Sequence, residues 1–272
     1  MKKFSSGLRG MSKSLWINRS LIYTLTKREV IGRYRGSMVG ILWSFFNPVM
    51  MLLVYTFVFS VVFQARWNSG SDSKIEFALV LFAGLLIFNL FAECISRSTN
   101  LVVNNVNYVK KVVFPLEILP WVIFGAAFFH FLISLCVWLT AYIIFFGVPH
   151  ATVIFLPVVI IPFMLILIGF TLFLSALGVF LRDLPQMIGI IITVLMFLSP
   201  IFYPASALPQ KFQVLLSLNP LTPIIEMTRQ VLFWGILPNM FSLALYFTIS
   251  LLVAWSGYAW FQKTRKGFAD VL

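Results

Sequence analysis

Apolar positions in this chain are gathered into six long runs, and polar residues sit between the runs rather than alternating within them. The runs fall at Val39–Phe63, Phe77–Ser96, Ile118–Phe146, Val153–Leu181, Met187–Tyr203 and Met240–Phe261. About 20 consecutive apolar residues carry a helix across the hydrocarbon core of a bilayer. Continuous runs predict helices, because the strands of a membrane barrel alternate apolar and polar positions. The pattern predicts an all-α polytopic membrane protein with six transmembrane helices.

Weaker patterns lie between the runs. Ile17, Leu21 and Leu25 share one helical face and predict an interfacial helix over about 14–34. Val102, Val106, Val109 and Val113 recur at 4, 3, 4 spacing, and Asn100, Asn104, Asn107 and Lys111 repeat it on another face. That spacing predicts an amphipathic helix of about four turns, opened by Ser98 or Thr99 and closed by Pro115. By spacing it either rests on the bilayer or docks a cytoplasmic partner. The segment 204–239 is apolar but broken by Pro204, Pro209, Pro220, Pro223 and Pro238. Thr222 and Pro223 predict a short helix to about Trp234. Either two re-entrant helices on the outward side or an amphipathic cover fits, and re-entrant backbone requires burial in protein or a wet cavity.

Charge orients the bundle. Sixteen of the 20 Lys and Arg residues fall before the first run, between the second and third, after the fourth or after the sixth. Only Arg66, Lys74, Lys211 and Arg229 lie on the other side. The positive-inside rule places both termini in the cytoplasm. The division is then a cytoplasmic segment 1–38 with the interfacial helix, a membrane domain 39–261 and a tail 262–272. The first 38 residues show no cleavable signal pattern, so the first span serves as the insertion signal. A net charge of +12 follows from the same rule and from anionic lipid headgroups, without nucleic acid. The chain is 61% hydrophobic and 10% charged, which leaves no soluble domain.

Catalytic and metal motifs are missing from the sequence: no HExxH, CxxC or GxSxG occurs. Gly257–Thr264 reads GYAWFQKT, in which Gln262 stands where a phosphate-binding loop needs its second glycine. The chain is expected to bind no cofactor or metal and to hydrolyse no nucleotide itself. Cys94 and Cys136 fall within spans and read as small packing residues. His130 lies near the middle of the third span, where an interhelical hydrogen bond is favoured over a proton path. Glu93 precedes Arg97 by four residues, the spacing of a helix-face ion pair. Gly32, Gly36 and Gly40 provide either a close helix-packing or dimer face or a flexible elbow before the first span. Tyr55, Phe59 and Phe63 form an i, i+4, i+8 stripe, which by spacing is core or interfacial packing before it is a sugar-stacking surface.

Four stretches taken together carry a resemblance: RYRGSMVGILWSFFNPVMMLLVYTFVFSVVF (Arg33–Phe63), NYVKKVVFPLEILP (Asn107–Pro120), FLRDLPQMIGIIITVLMFLSPIFYP (Phe180–Pro204) and NPLTPIIEMTRQVLFWG (Asn219–Gly235). They resemble the membrane (permease) subunits of type-2 ABC exporters for surface polysaccharide, above all O-antigen (lipopolysaccharide) exporters, with capsule and teichoic-acid exporters nearby. The resemblance covers about Leu25 to Phe261. It implies a homodimer in the bacterial inner membrane, with two copies of a cytoplasmic ABC ATPase that bind ATP and Mg. It implies an undecaprenyl-linked glycan as substrate. It places the ATPase-docking helix at about Arg97–Val113 and the re-entrant helices at 204–239, and its aromatic-lined pores agree with the sugar-stacking reading of the Tyr55, Phe59 and Phe63 stripe without assigning individual pore residues. The competing expectations are an ion-coupled lipid or glycan carrier and a membrane scaffold for a cytoplasmic complex.

Overall fold

The computed structural model describes residues 7–58, 67, 74–110, 114–207, 209, 211, 213, 216 and 218–272. Among them the regular structure is helical throughout. In order these are α1 (Leu8–Ile17), α2 (Arg19–Arg33), α3 (Trp43–Tyr55), α4 (Lys74–Ser98), α5 (Val106–Lys110), α6 (Leu119–Phe146), α7 (Leu156–Phe180), α8 (Leu184–Leu198), α9 (Leu221–Arg229), α10 (Met240–Thr264) and α11 (Phe268–Val271). Pro120, Pro157 and Pro185 stand in the first turns of α6, α7 and α8, where a missing N–H removes no helix bond. Asn239 caps α10 by accepting from the amides of Phe241 and Ser242.

Among the described residues, five helical segments are long and apolar enough to cross a membrane: Gly40–Val58, Ile75–Ser98, Leu116–Phe146, Ala151–Phe180 and Met240–Val271. α8 is shorter. Its 15 residues rise about 22 Å, less than the ~30 Å hydrocarbon core. The predicted fifth run to Tyr203 ends early because Pro200 cannot extend the helix and the carbonyls of Pro200 and Ile201 are claimed by Arg229.

α4 is the hub. It packs against α3, α6, α7, α8 and α9, while α10 lies along α7. A Cβ on Gly257 would sit 2.1 Å from the Gly169 carbonyl oxygen, and one on Gly169 would sit 2.5 Å from that of Val253. Only glycine lets α7 and α10 cross so closely. Trp138 on α6 is fully buried and donates to the Leu79 carbonyl of α4 at 2.8 Å. In the segment Gly40–Val58, by contrast, only 6% of an 18-residue stretch is buried within this chain.

The predicted interfacial helix is divided. Asn18 breaks it into α1 and α2 and turns its own amide onto the Ser14 carbonyl at 2.8 Å. Leu25 is buried against Ile118 and Val122 at the start of α6, whereas Ile17 is exposed. The helix expected to open at Thr222 and Pro223 forms as α9 but starts earlier, at Leu221, and is continued by a π turn over Gln230–Trp234 to Gly235 at φ +66°. Asn219 opens it by accepting from the Leu221 amide, and the Thr222 hydroxyl is buried with no partner among the described residues.

Candidate functional site

The polar end of the bundle that follows α4 is built from a tight turn. Ser98 and Thr99 bend their hydroxyls back onto the carbonyls of Ile95 and Ser96. They close α4 rather than open a new helix. The predicted four-turn helix is accordingly a turn, a 3-10 turn at Val103–Asn105 and the short α5. The Asn105 amide holds the turn by donating to the Leu101 carbonyl at 2.8 Å, and Leu101 and Val102 sink into the core. Val106 and Val109 are half-buried, while Asn100, Asn104 and Asn107 are exposed. The two predicted faces keep their polarity although no continuous helix carries them. Lys111 and Val113 lie outside the described residues.

This segment is braced at both ends. At its start, a Cβ on Gly178 of α7 would lie 1.8 Å from the Thr99 carbonyl oxygen, so helix and turn are in backbone contact. Arg97 pairs with Glu93 at 3.3 Å, as the four-residue spacing predicts, and also with Glu29 of α2. At its far end, Arg265 after α10 binds Glu117 at 2.6 Å and the Phe114 carbonyl at 3.0 Å. Ser14 of α1 donates to the same Glu117. Phe268 of α11 is buried against Phe180 and Phe261. Between α2, the braced segment and α6 lies a hollow of about 340 Å³ lined by Arg28, Glu29, Arg97, Asn100, Asn104 and Tyr108, among others.

A second cleft, about 500 Å³, opens between α3, α4 and α6. At its floor Glu93 accepts from Arg33 at 2.6 Å, and His130 places Nδ1 3.1 Å from the carboxylate. His130 Nε2 lies 3.1 Å from the Tyr34 hydroxyl. Arg33 Nη1 also lies 2.9 Å from His130 Nδ1, so the ring is shared between Glu93, Arg33 and Tyr34, and its tautomer fixes which nitrogen donates. Burial raises the Tyr34 phenol above its ordinary range, Arg33 opposes that and Glu93 adds to it, so the proton stays on oxygen. His130 is thus an interhelical hydrogen-bonding residue, the favoured sequence reading, with a carboxylate partner the sequence did not reveal. Tyr55 lines the same cleft; Phe59 and Phe63 lie outside the described residues.

The three spaced glycines do not share one helix. Gly32 is in α2, whereas Gly36 and Gly40 take φ +88° and +58° in the connection to α3. No atom lies within 4 Å of a Cβ built on any of them, which is the geometry of an elbow within this subunit.

On the opposite side Arg229 is fully buried. Its guanidinium donates to the carbonyls of Val80, Pro200 and Ile201 at 3.0, 2.6 and 2.8 Å, pairs with Glu226 at 3.2 Å and lies over the Trp67 ring. One side chain thereby ties α9 to α4 and to the break after α8. Sequence reasoning counted Arg229 as an outward charge and missed this role. The available signal was a cation within an apolar segment on the side where cations are scarce, three residues after a carboxylate. Among the described residues, no group of three or more His, Cys, Asp or Glu side chains is placed to hold a metal ion.

Comparison with known proteins adds to this geometry. The profile of a family described as "ABC-2 type transporter" matches residues 20–233. A Myxococcus xanthus protein named "O-antigen export system permease protein RfbA" is 30% identical over 122 residues, 45% of this chain and 44% of that protein. A Klebsiella pneumoniae protein of the same name is 29% identical over 100 residues, 37% of this chain and 36% of that protein. The aligned stretch spans less than half the length of each relative.

Proposed function

This chain belongs to the ABC-2 type transporter family, and from that premise we propose that it is the transmembrane subunit of an ATP-driven exporter of lipid-linked polysaccharide. The substrate class follows the O-antigen export relatives. The observation that carries the reading is the braced segment after α4: Asn100, Asn104 and Asn107 face outward on a base tied to α2, α7 and α10. A separate ABC ATPase binds there and supplies ATP and Mg chemistry.

Two copies of this chain, each with its own ATPase, form the exporter in the bacterial inner membrane, termini inward. α8 and the apolar residues after it complete the sixth crossing, and 204–239 forms the outward re-entrant cover. A glycan hydroxyl in bare hydrocarbon costs several kcal/mol, so the route is lined and wet. ATPase closure pushes the braced segment. The push reaches α2 through the Arg97–Glu29 pair and reaches the elbow before α3 through Glu93 and Arg33. The weakly buried first span moves against its mate and advances the glycan.

Proteoliposomes containing this chain, its ATPase and extracted lipid-linked glycan test the reading. Glycan should cross only with both ATPase and ATP. The contact of Glu93 with His130 favours a second reading, an ion-coupled carrier, in which a pH gradient alone drives transport and His130→Ala abolishes it. Transport without ATPase would reject the ATP-driven reading.

A further inference from the structure

Asn89 is the one exposed residue between Phe77 and Phe91 on the otherwise buried α4. It lies nine residues before the end of that helix, about 14 Å into the bundle. Its amide makes no hydrogen bond among the described residues and faces the 500 Å³ cleft. Asn47 of α3 and Ser134 of α6 line the same cleft and are likewise without a side-chain partner. Leaving such groups in hydrocarbon costs several kcal/mol each, so the cleft is built for water or a polar ligand. Two large rings, Trp43 and Tyr55, also line it.

The charges decide which ligand. Arg33 is neutralised by Glu93 at 2.6 Å, and the neighbouring Arg97 is held between Glu93 and Glu29. A diphosphate requires uncommitted cations, which this floor does not offer. Amides, a hydroxyl and aromatic faces suit a neutral, hydroxyl-rich ring, whose C–H faces stack on the negative faces of the rings. The volume is within the ~300–1,000 Å³ of small-molecule sites.

We propose that this cleft within a single subunit binds one sugar unit of the lipid-linked glycan. Asn47, Asn89 and Ser134 bond its hydroxyls, while Trp43 and Tyr55 cover its C–H faces. The proposal rests on the export reading and adds a site that recognises sugar and not phosphate.

The test uses the chain with its ATPase in nanodiscs and two probes: extracted lipid-linked glycan and the same polyprenyl diphosphate without sugar. Asn89→Leu should weaken retention of the glycan-bearing lipid at least tenfold and leave the sugar-free lipid unchanged. Asn89→Gln, which keeps the amide, should restore most of the loss. An equal loss for both probes, or no loss for either, would overturn the site. Asn89→Cys should form no disulfide with a second copy under mild oxidation; efficient cross-linking would show that another subunit fills the cleft, and would also overturn it. If the unaltered complex retains the glycan and exports it while Asn89→Leu behaves identically, only the site fails. If the unaltered complex neither retains nor exports glycan, the export reading fails with it.

Discussion

Gly178→Ala should weaken ATPase association without altering any residue on the docking surface. The added Cβ would stand 1.8 Å from the Thr99 carbonyl oxygen, against at least 3.4 Å for ordinary contact. Either α7 or the turn must move by roughly 1.6 Å. α7 is the stiffer side, since Leu172, Ala176 and Val179 are buried among packed helices, so the turn gives way. Overpacking of this kind costs about 1–3 kcal/mol. If docking restores the original position of the turn, that energy returns as a penalty of about 5- to 150-fold in affinity. The assay is titration of purified ATPase onto the nanodisc-embedded chain. Gly189→Ala in α8 is the control, because nothing lies within 4 Å of its Cβ position. Well-folded Gly178→Ala that binds ATPase as tightly as the unaltered chain would refute the claim that this backbone contact sets the docking geometry.

Further outcomes follow from the same geometry. Arg229→Met leaves three buried carbonyls without their donor and should cost about 3–5 kcal/mol, read as a lowered thermal midpoint in detergent; an unchanged midpoint would contradict the tie between α4, α9 and the break after α8. Gly257→Val should destabilise far more than Gly189→Val, because its side chain meets the Gly169 carbonyl at the α7–α10 crossing; equal melting of the two would rule out a tight crossing. Arg265→Gln removes an ion pair whose partners are 15% and 14% exposed, and should speed amide exchange over 103–110 several-fold; unaltered exchange would mean that the far brace is not needed. Substituting Asn100, Asn104 and Asn107 together by Asp should reduce ATPase binding while leaving the fold intact, measured by co-purification. Val102 is the wrong place for that test. It is 1% exposed, so a charge there would damage the core instead of the surface.

Hydropathy and charge sufficed to place most of the bundle. Spanning by a single helix depends on summed transfer free energy along a contiguous stretch, and orientation depends on where Lys and Arg fall, so both are local properties of the chain. The early end of α8 was not local, because it depends on a guanidinium 28 and 29 residues away. The break in the valine pattern before α5 is local, set by Ser98 and Thr99 turning onto carbonyls three residues back, but hydrophobic spacing alone does not register it.

The spaced glycines illustrate the same limit. Gly32, Gly36 and Gly40 have the sequence signature of a helix-packing face, yet within this chain nothing packs on them, whereas Gly169 and Gly257, 88 residues apart, make a close helix crossing. Likewise His130, Glu93 and Arg33 carry no shared spacing and meet only when α2, α4 and α6 pack. The sequence by itself determined a helical membrane protein, its basic side and the polarity of the segment after α4, because each arises from residues near one another in the chain. Tertiary structure alone decided which charges neutralise each other, which asparagine is left unpaired in a cleft and which arginine closes the far side, because those depend on contacts between residues up to 149 positions apart.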